Sequence, residues 1–319
     1  MLRSRTASRL TAFVFSFAVG LFATVAATKT PPASSSQERK KVSDLYWNPP
    51  QVDARMPFVS TATPCSLPDV LKQAGERTGE LVEHLRKFIA REQIRYQQTG
   101  RSDVSGVSMT GDSFPIRPGQ IEMSGTEKFD YLVDFEETSE PLNIHEIRTR
   151  LDGTDDSQLS HFLDKGLPVL ALVFYPTLRN DYGMRCEGLT QWRSQPTWLV
   201  HFQQIKGKRP RTLTMQTPTG VFPVGLKGRA WIAVDSGQVV HIETNLVEGI
   251  LMIDLREIAI SVDYAPVKSQ LQNLEVWLPQ FVVAYTDYDK RRMIIEHTFS
   301  DFQLFSVQTQ ETIQKPKEP

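Results

Sequence analysis

The sequence is short of nearly everything that would give away a reaction. Two cysteines, Cys65 and Cys186, are all that 319 residues contain, too few for a disulfide scaffold or a cysteine-rich zinc module. They do not form a Cys-x-x-Cys pair, and no Gly-x-Ser-x-Gly elbow, His-Glu-x-x-His pair or phosphate-binding glycine loop occurs. The local signatures of a redox motif, an α/β-hydrolase, a zinc protease and a P-loop enzyme are therefore missing. Gly106-Val107-Ser108-Met109-Thr110 comes nearest and lacks the second glycine. Because a catalytic triad is assembled in space, an exported hydrolase or metal enzyme stays among the alternatives. Charge of one sign is also scarce: 36 basic residues stand against 37 acidic ones. Nucleic acid needs a concentrated positive face, so it is not an expected partner. Beyond the first thirty residues no stretch approaches eighteen uninterrupted apolar positions, the length a membrane-spanning helix requires.

That first stretch has the three parts of an export signal. Arg3, Arg5 and Arg9 form a basic start, Leu10 to Ala26 an apolar core, and Val25 and Ala27 fill the −3 and −1 places for a cut after Ala27. An uncleaved N-terminal anchor is the alternative, since the apolar run nears the lower length limit of a span. Cleavage removes three arginines, leaving 33 basic against 37 acidic residues, near −4. The expected location is periplasmic or extracellular. In that oxidising space an even pair of cysteines predicts a Cys65–Cys186 disulfide, with two buried free thiols as the alternative.

Residues 28–64 read as a disordered linker, rich in Pro and Ser (Thr30-Pro31-Pro32-Ala33-Ser34-Ser35-Ser36, then Pro49, Pro50, Pro57 and Pro64), with too little apolar area to offset its ordering entropy. Residues 65–313 read as one β-rich domain and 314–319 as a disordered tail. A helix is expected from Ser66, over 66–95. Leu71, Ala74, Thr78, Leu81, Val82, Leu85, Phe88 and Ile89 supply its apolar face at three–four spacing. The run Leu167 to Tyr175 is apolar throughout and interior; periodicity alone does not decide between a buried helix and a buried strand, and Gly166, Pro168 and Asp164 near its start favour a short helix.

Elsewhere the period is two. Phe129–Phe135 and Ile144–Leu151 read as partner strands, followed by Thr197–Gln204 and by a hairpin, Ala230–Val234 and Val239–Asn245, around Asp235-Ser236-Gly237. Further strands are read at Ile258–Tyr264, Phe281–Tyr285, Met293–Phe299 and Phe302–Val307. Short strands joined by tight turns indicate an antiparallel sheet that is sandwiched or closed on itself. The expected fold class is thus α+β: a large antiparallel sheet, with one long N-terminal helix and one short apolar segment packed on it.

Weaker signals have plain explanations beside them. His201, His241 and His297 fall on strands and would make a metal site only if those strands shared a face; half-buried packing is the simpler account. Asp152-Gly153-Thr154-Asp155-Asp156-Ser157 lacks the oxygen-ligand spacing of a calcium loop and reads as a solvated turn. Lys206-Gly207-Lys208-Arg209-Pro210-Arg211 reads as a charged loop, with contact to anionic lipid as its functional alternative.

Several segments resemble a known family. Ala230-Trp231-Ile232-Ala233-Val234 with its Asp235-Ser236-Gly237 turn, Val276-Trp277-Leu278-Pro279, and His297-Thr298-Phe299-Ser300-Asp301-Phe302 are similar, in order, to segments of the LolA/LolB-like lipoprotein-localisation carriers. Met184–Leu189 and Leu226–Trp231 resemble a group of exported acidobacterial proteins, which implies no activity.

The carrier resemblance implies an open half-barrel, a strongly curved sheet with helices on its concave side around an acyl-chain cavity. It further implies a non-enzymatic lipid- or lipoprotein-binding module of the cell envelope, without cofactor or metal; peripheral membrane contact is the alternative that the Lys206–Arg211 loop offers beside it. Residues expected to line the cavity are Leu85, Phe88, Leu170, Val173, Trp231, Trp277, Phe281 and Tyr285. A structural or protein-interaction module whose core is filled by its own side chains is the alternative; ligand identity and oligomeric state are not legible.

Overall fold

The computed structural model describes residues 44–84, 87–101, 119–136, 142–153, 166, 169–268 and 275–305. The stretch read as an export signal, the first part of the stretch read as a linker, Leu85, the Thr154–Ser157 stretch and residues 314–319 lie outside these residues. Among the described residues there is one α-helix, α1 (Leu67–His84). The strands are β1 (Lys87–Gly100), β2 (Ile121–Glu136), β3 (Asn143–Arg150), β4 (Tyr182–Trp192), β5 (Gln195–Gln204) and β6 (Thr214–Thr217). They continue with β7 (Gly220–Pro223), β8 (Leu226–Ala233), β9 (Val239–Leu246), β10 (Leu255–Lys268), β11 (Glu275–Tyr288) and β12 (Arg291–Phe305). Ten of them form one antiparallel sheet in the order β3-β2-β1-β12-β11-β10-β9-β8-β5-β4, and β6 pairs with β7 apart from it. The sheet is curved and not closed into a barrel, so the fold is α+β as its alternation predicts.

Alternation sets two faces. The inner face carries Phe88 and Ala90, Tyr131 and Val133, Val200 and Phe202, Ala230 and Ile232, Ile258 to Val262 at even positions, and Val282 and Ala284, all in one buried cluster. Helix α1 covers it with Val70, Ala74, Thr78 and Val82, a row at i, i+4 spacing. Thr78 Oγ1 donates to Ala74 O at 3.0 Å, so its hydroxyl is satisfied within the helix. The apolar segment is a buried 3-10 turn, Leu170–Phe174, fixed from the sheet because Ala171 N donates to the Tyr264 hydroxyl at 3.0 Å.

The helix ends sooner than the spacing predicts. It stops at His84, and Phe88 and Ile89 belong to β1. Leu85, Phe88 and Ile89 imitate a helical stripe, but from residue 87 onward Phe88, Ala90, Glu92, Ile94 and Tyr96 are buried while Lys87, Ile89, Arg91, Gln93 and Arg95 are not. That alternation buries one side of a long pleated strand, which a helix could not do.

Two local devices keep the faces in step. At Arg193-Ser194 and Asp289-Lys290 both central residues have positive φ, the twist that tight hairpins favour. At Ser300-Asp301 the register of β12 against β1 slips, with Asp301 at φ 52°. This bulge shifts parity by one residue, so Phe299, Phe302 and Leu304 all reach the inner core. The Phe-Ser-Asp-Phe landmark is therefore a bulge that keeps aromatics on one side.

Residues 44–64 fall inside the stretch read as a linker. In the structure they have almost no regular secondary structure, yet they lie along the outer face of the sheet. Leu45 exchanges hydrogen bonds with the Gln97 side chain of β1. Trp47 sits edge-on to Tyr285 of β11 at 5.6 Å, under Arg292 of β12. Asn245 of β9 accepts from Val52 N and donates to Pro50 O, both at 2.8 Å. Asp53 meets Lys227 of β8 at 2.6 Å, and Ser60 pairs with Leu189 of the edge strand β4. Fixed partners on six strands hold this strap, which its sequence, without apolar periodicity, does not announce.

At β4 the strap turns over the edge, where Cys65 is bonded to Cys186 with Cα atoms 6.3 Å apart. Helix α1 follows at once. The bridge closes 121 residues, so its removal should cost on the order of 4 kcal/mol through the unfolded state. A Cys65→Ser/Cys186→Ser variant is expected to show that loss in denaturant midpoints, and the denatured, unreduced parent to present no labelled thiol. A second expectation concerns α1. A methyl at Gly79 meets nothing within 4 Å, so Gly79→Ala should raise stability by about 0.5–1 kcal/mol. Gly75→Ala should gain less, because its methyl would sit 3.3 Å from Arg179 Nη1.

Candidate functional site

Three places concentrate chemistry. The first is a seam between α1 and the ends of β9, β10 and β11. A cavity of about 50 Å³ opens there, lined by Leu81, Val239, Tyr264, Val276 and Trp277 among others. Helix α1 is held over it by Arg77 Nε, which donates to Ser236 O in the β8–β9 turn at 2.9 Å. The turn approaches so closely that a Cβ at Gly237, already at φ 70°, would lie 2.8 Å from Gln73 Cβ. Glycine is required there twice over, for conformation and for room.

The second is a buried ionic cluster on the inner face, where β1, β2, β3 and β12 lie side by side. Glu92 receives two bonds from Arg148, at 2.7 and 3.2 Å, and contacts His297 Nδ1 at 2.7 Å. Glu146 lies 3.7 Å from Arg148 and accepts from Gly166 N at 2.9 Å. The guanidinium of Arg148 also stands 4.6 Å over the Tyr131 ring. Burial opposes ionisation of Glu92, but Arg148 and His297 outweigh it and hold its carboxyl down at about 2. Burial dominates at Glu146, which is pushed up despite Arg148. The cluster divides the main core from a smaller one formed by Ile94, Tyr96, Phe129, Met293 and Ile295.

The third lies on the outer face. His241 is stacked on Trp192 with ring centres 3.6 Å apart, and Trp231 approaches the same imidazole at 4.8 Å. His241 Nδ1 contacts Asp263 Oδ1 at 2.7 Å, and its Nε2 lies 3.6 Å from Glu243. Burial favours neutral imidazole, yet Asp263 and Glu243 raise His241 above the ordinary histidine value. Beside this group, under the strap, is a cleft of about 380 Å³ lined by Pro50, Met56, Trp231, Glu243 and Tyr285 among others.

These positions sort the residues expected to line one cavity onto opposite sides. Phe88, Leu170 and Val173 are buried in the inner core, and Trp277 touches the seam. Trp231 belongs to the outer cluster with Leu199 and Ala233, and Phe281 and Tyr285 share its face, opposite Asp263 and Ala259 in the β10–β11 register. The Trp231 indole thus faces away from α1, not toward it. The strand histidines are likewise parted: His297 is on the inner face, while His201, facing Asp53 at 3.6 Å, and His241 are on the outer one. Sequence reasoning missed Glu92, Glu146 and Arg148. The available signal was charge at three positions of the buried parity in β1 and β3.

No protein-family model and no curated protein matches the sequence. Solved structures similar to it include the following three. A domain named for outer-membrane lipoprotein sorting, from Vibrio parahaemolyticus, is 12% identical with a TM-score of 0.39, over 77% of this chain and 94% of that one. A DUF1329 family protein from Desulfovibrio piger is 7% identical with a TM-score of 0.39, over 75% and 92%. A LolA superfamily protein from Nitrosomonas europaea is 10% identical with a TM-score of 0.32, over 76% and 96%. Scores of this size carry no inference about ligand or site.

The ionic cluster generates a pH prediction. Glu92 has a folded pKa of about 2 against 4.5 for the free group, so its stabilising contribution is complete above pH 4.5 and is lost as pH falls toward 2. The full contribution is on the order of 3 kcal/mol. Glu146, shifted upward, acts in the opposite sense. Denaturant midpoints measured from pH 5 to pH 3 should therefore fall less steeply in Glu92→Gln than in the parent, from a lower starting stability because Arg148 loses its partner.

Proposed function

We propose that the protein is a non-enzymatic, exported module of the cell envelope that holds an acyl chain, of a lipid or a lipoprotein, between α1 and the inner face of the sheet. The observation behind this reading is the seam. A wide apolar face is covered at the β9–β11 ends by one helix, and the contact is already parted there, beside Leu81, Val276 and Trp277. An acyl chain offers apolar surface without hydrogen-bonding demands, which suits a lining of this kind. The site is small as it stands. Ligand pockets span roughly 300–1,000 Å³ against about 50 Å³ here, so α1 must move outward about its two tethers, Cys65 and the start of β1, for a chain to enter. The same small volume favours a second reading, an interaction module whose core is filled by its own side chains.

Native mass spectrometry of protein taken from a bacterial envelope, paired with uptake of a fluorescent fatty acid, separates the two. Acyl-chain mass and saturable uptake are expected, with uptake falling at least tenfold in Leu81→Trp, which fills the seam. A clean apo mass with no uptake rejects the carrier and leaves the filled-core module. Trp231→Ala serves as the control. Its indole is 3% exposed on the other face, so the substitution should cost about 3–5 kcal/mol and leave uptake unchanged.

A further inference from the structure

The strands of the sheet have two ends, and one gathers features that neither the inner core nor the strap uses. At that end lie the C-termini of β1, β5, β9 and β11 and the starts of β4, β8, β10 and β12. The β9–β10 connection projects from it. Ile250 and Leu255 close it with a pair of backbone bonds, Asp254 N donates to Leu251 O at 3.1 Å, and Asp254 adopts a left-handed conformation at φ 49°. This ordered turn holds two large apolar side chains outward, Leu251 at 91% and Met252 at 80% exposure. A built turn that presents adjacent apolar side chains to water is unlike the scattered exposure common on protein surfaces.

Two strands away, at a distance of about 10 Å by strand spacing, the β5–β6 connection carries Lys206, Lys208 and Arg209 beside exposed Ile205. Among the described residues these three cations form no ion pair. Nearby acids are occupied: Asp254 with Arg101 and Arg256, Asp181 with Arg211, and Asp289 with Arg291. Glu248 and Glu257 remain as the opposing charges. The strap also begins near this end, since Leu45 is fixed to Gln97, three residues before β1 finishes at Gly100. Only residues 27–43 separate Asp44 from the apolar Leu10–Ala26 run.

We propose that this end is a membrane-docking surface for an anionic lipid bilayer, with Leu251 and Met252 entering the interface and Lys206, Lys208 and Arg209 contacting headgroups. An apolar tip flanked by basic residues binds by burial of its side chains and by attraction to the anionic leaflet together. The surface is independent of the seam and stands whatever α1 holds. Docked this way, the seam at the opposite strand ends faces away from the bilayer.

Hydrogen exchange of the full chain tests it, because a local readout is not masked by any binding through the N-terminal apolar run. Vesicles of phosphatidylcholine with phosphatidylglycerol are expected to protect 247–254 and 205–211 relative to vesicles of phosphatidylcholine alone. Leu251→Asp/Met252→Asp should abolish that protection, and Lys206→Glu/Lys208→Glu/Arg209→Glu should weaken vesicle affinity at least fivefold per charge at low salt. No protection of 247–254 by anionic vesicles overturns the proposal and leaves the tip to a protein partner. Equal protection by both vesicle types also overturns it, since the basic loop would then contribute nothing.

Discussion

A wide open sheet has two faces and two edges, and here one stretch of chain meets most of that demand. Residues 44–64 lie along the outer face, Cys65 is fixed to the edge strand, and Leu67–His84 covers the inner face. The crossing from outside to inside happens once, at β4. Because the bond at Cys65 is covalent, neither the strap nor the helix can leave its face without loading the other across the same edge. Ser60 pairing with Leu189 also masks part of β4, a strand that would otherwise offer unpaired backbone groups to another chain.

The inner face is not uniformly apolar, and its exception is informative. Glu92, Arg148 and His297 are removed from water at a desolvation cost that their mutual contacts must offset. Replacing one member leaves the others uncompensated, so such a cluster fixes which strands are neighbours more than it adds stability. It ties β1 to β3 across β2 and to β12 on the other side. A sheet held only by alternation could slip by two residues and keep its faces; this one would have to break the arginine–carboxylate pairing to do so.

What could be read from the chain follows the same division. Strands with one wet face declared themselves through period two, as Phe129–Phe135 and Ile258–Tyr264 did. The disulfide followed from an even count. Phe88 and Ile89 misled because their distance from Leu81 and Leu85 fits a helix, and only the continuation through Ala90, Ile94 and Tyr96 shows a strand. β4 went unread because Gly183, Gly188 and alternating charge dilute its pattern. The strap was invisible in principle: its order comes from side chains such as Asn245 and Gln97, nearly two hundred and about fifty residues away. The side to which Trp231 points was equally hidden, since alternation fixes that two faces exist without saying which one the helix will take.

The first strand of the sheet pairs with the last, Lys87 against Phe305 and Gly100 against Arg291. The middle of the sheet is therefore made from its first and last strands. Until residues 291–305 have been synthesised, β1 lacks one of its neighbours and the halves on either side cannot be joined. Contacts of such sequence separation slow folding and leave strand edges open for longer. The step that completes the sheet is thus the insertion of one strand, β12, between β1 and β11.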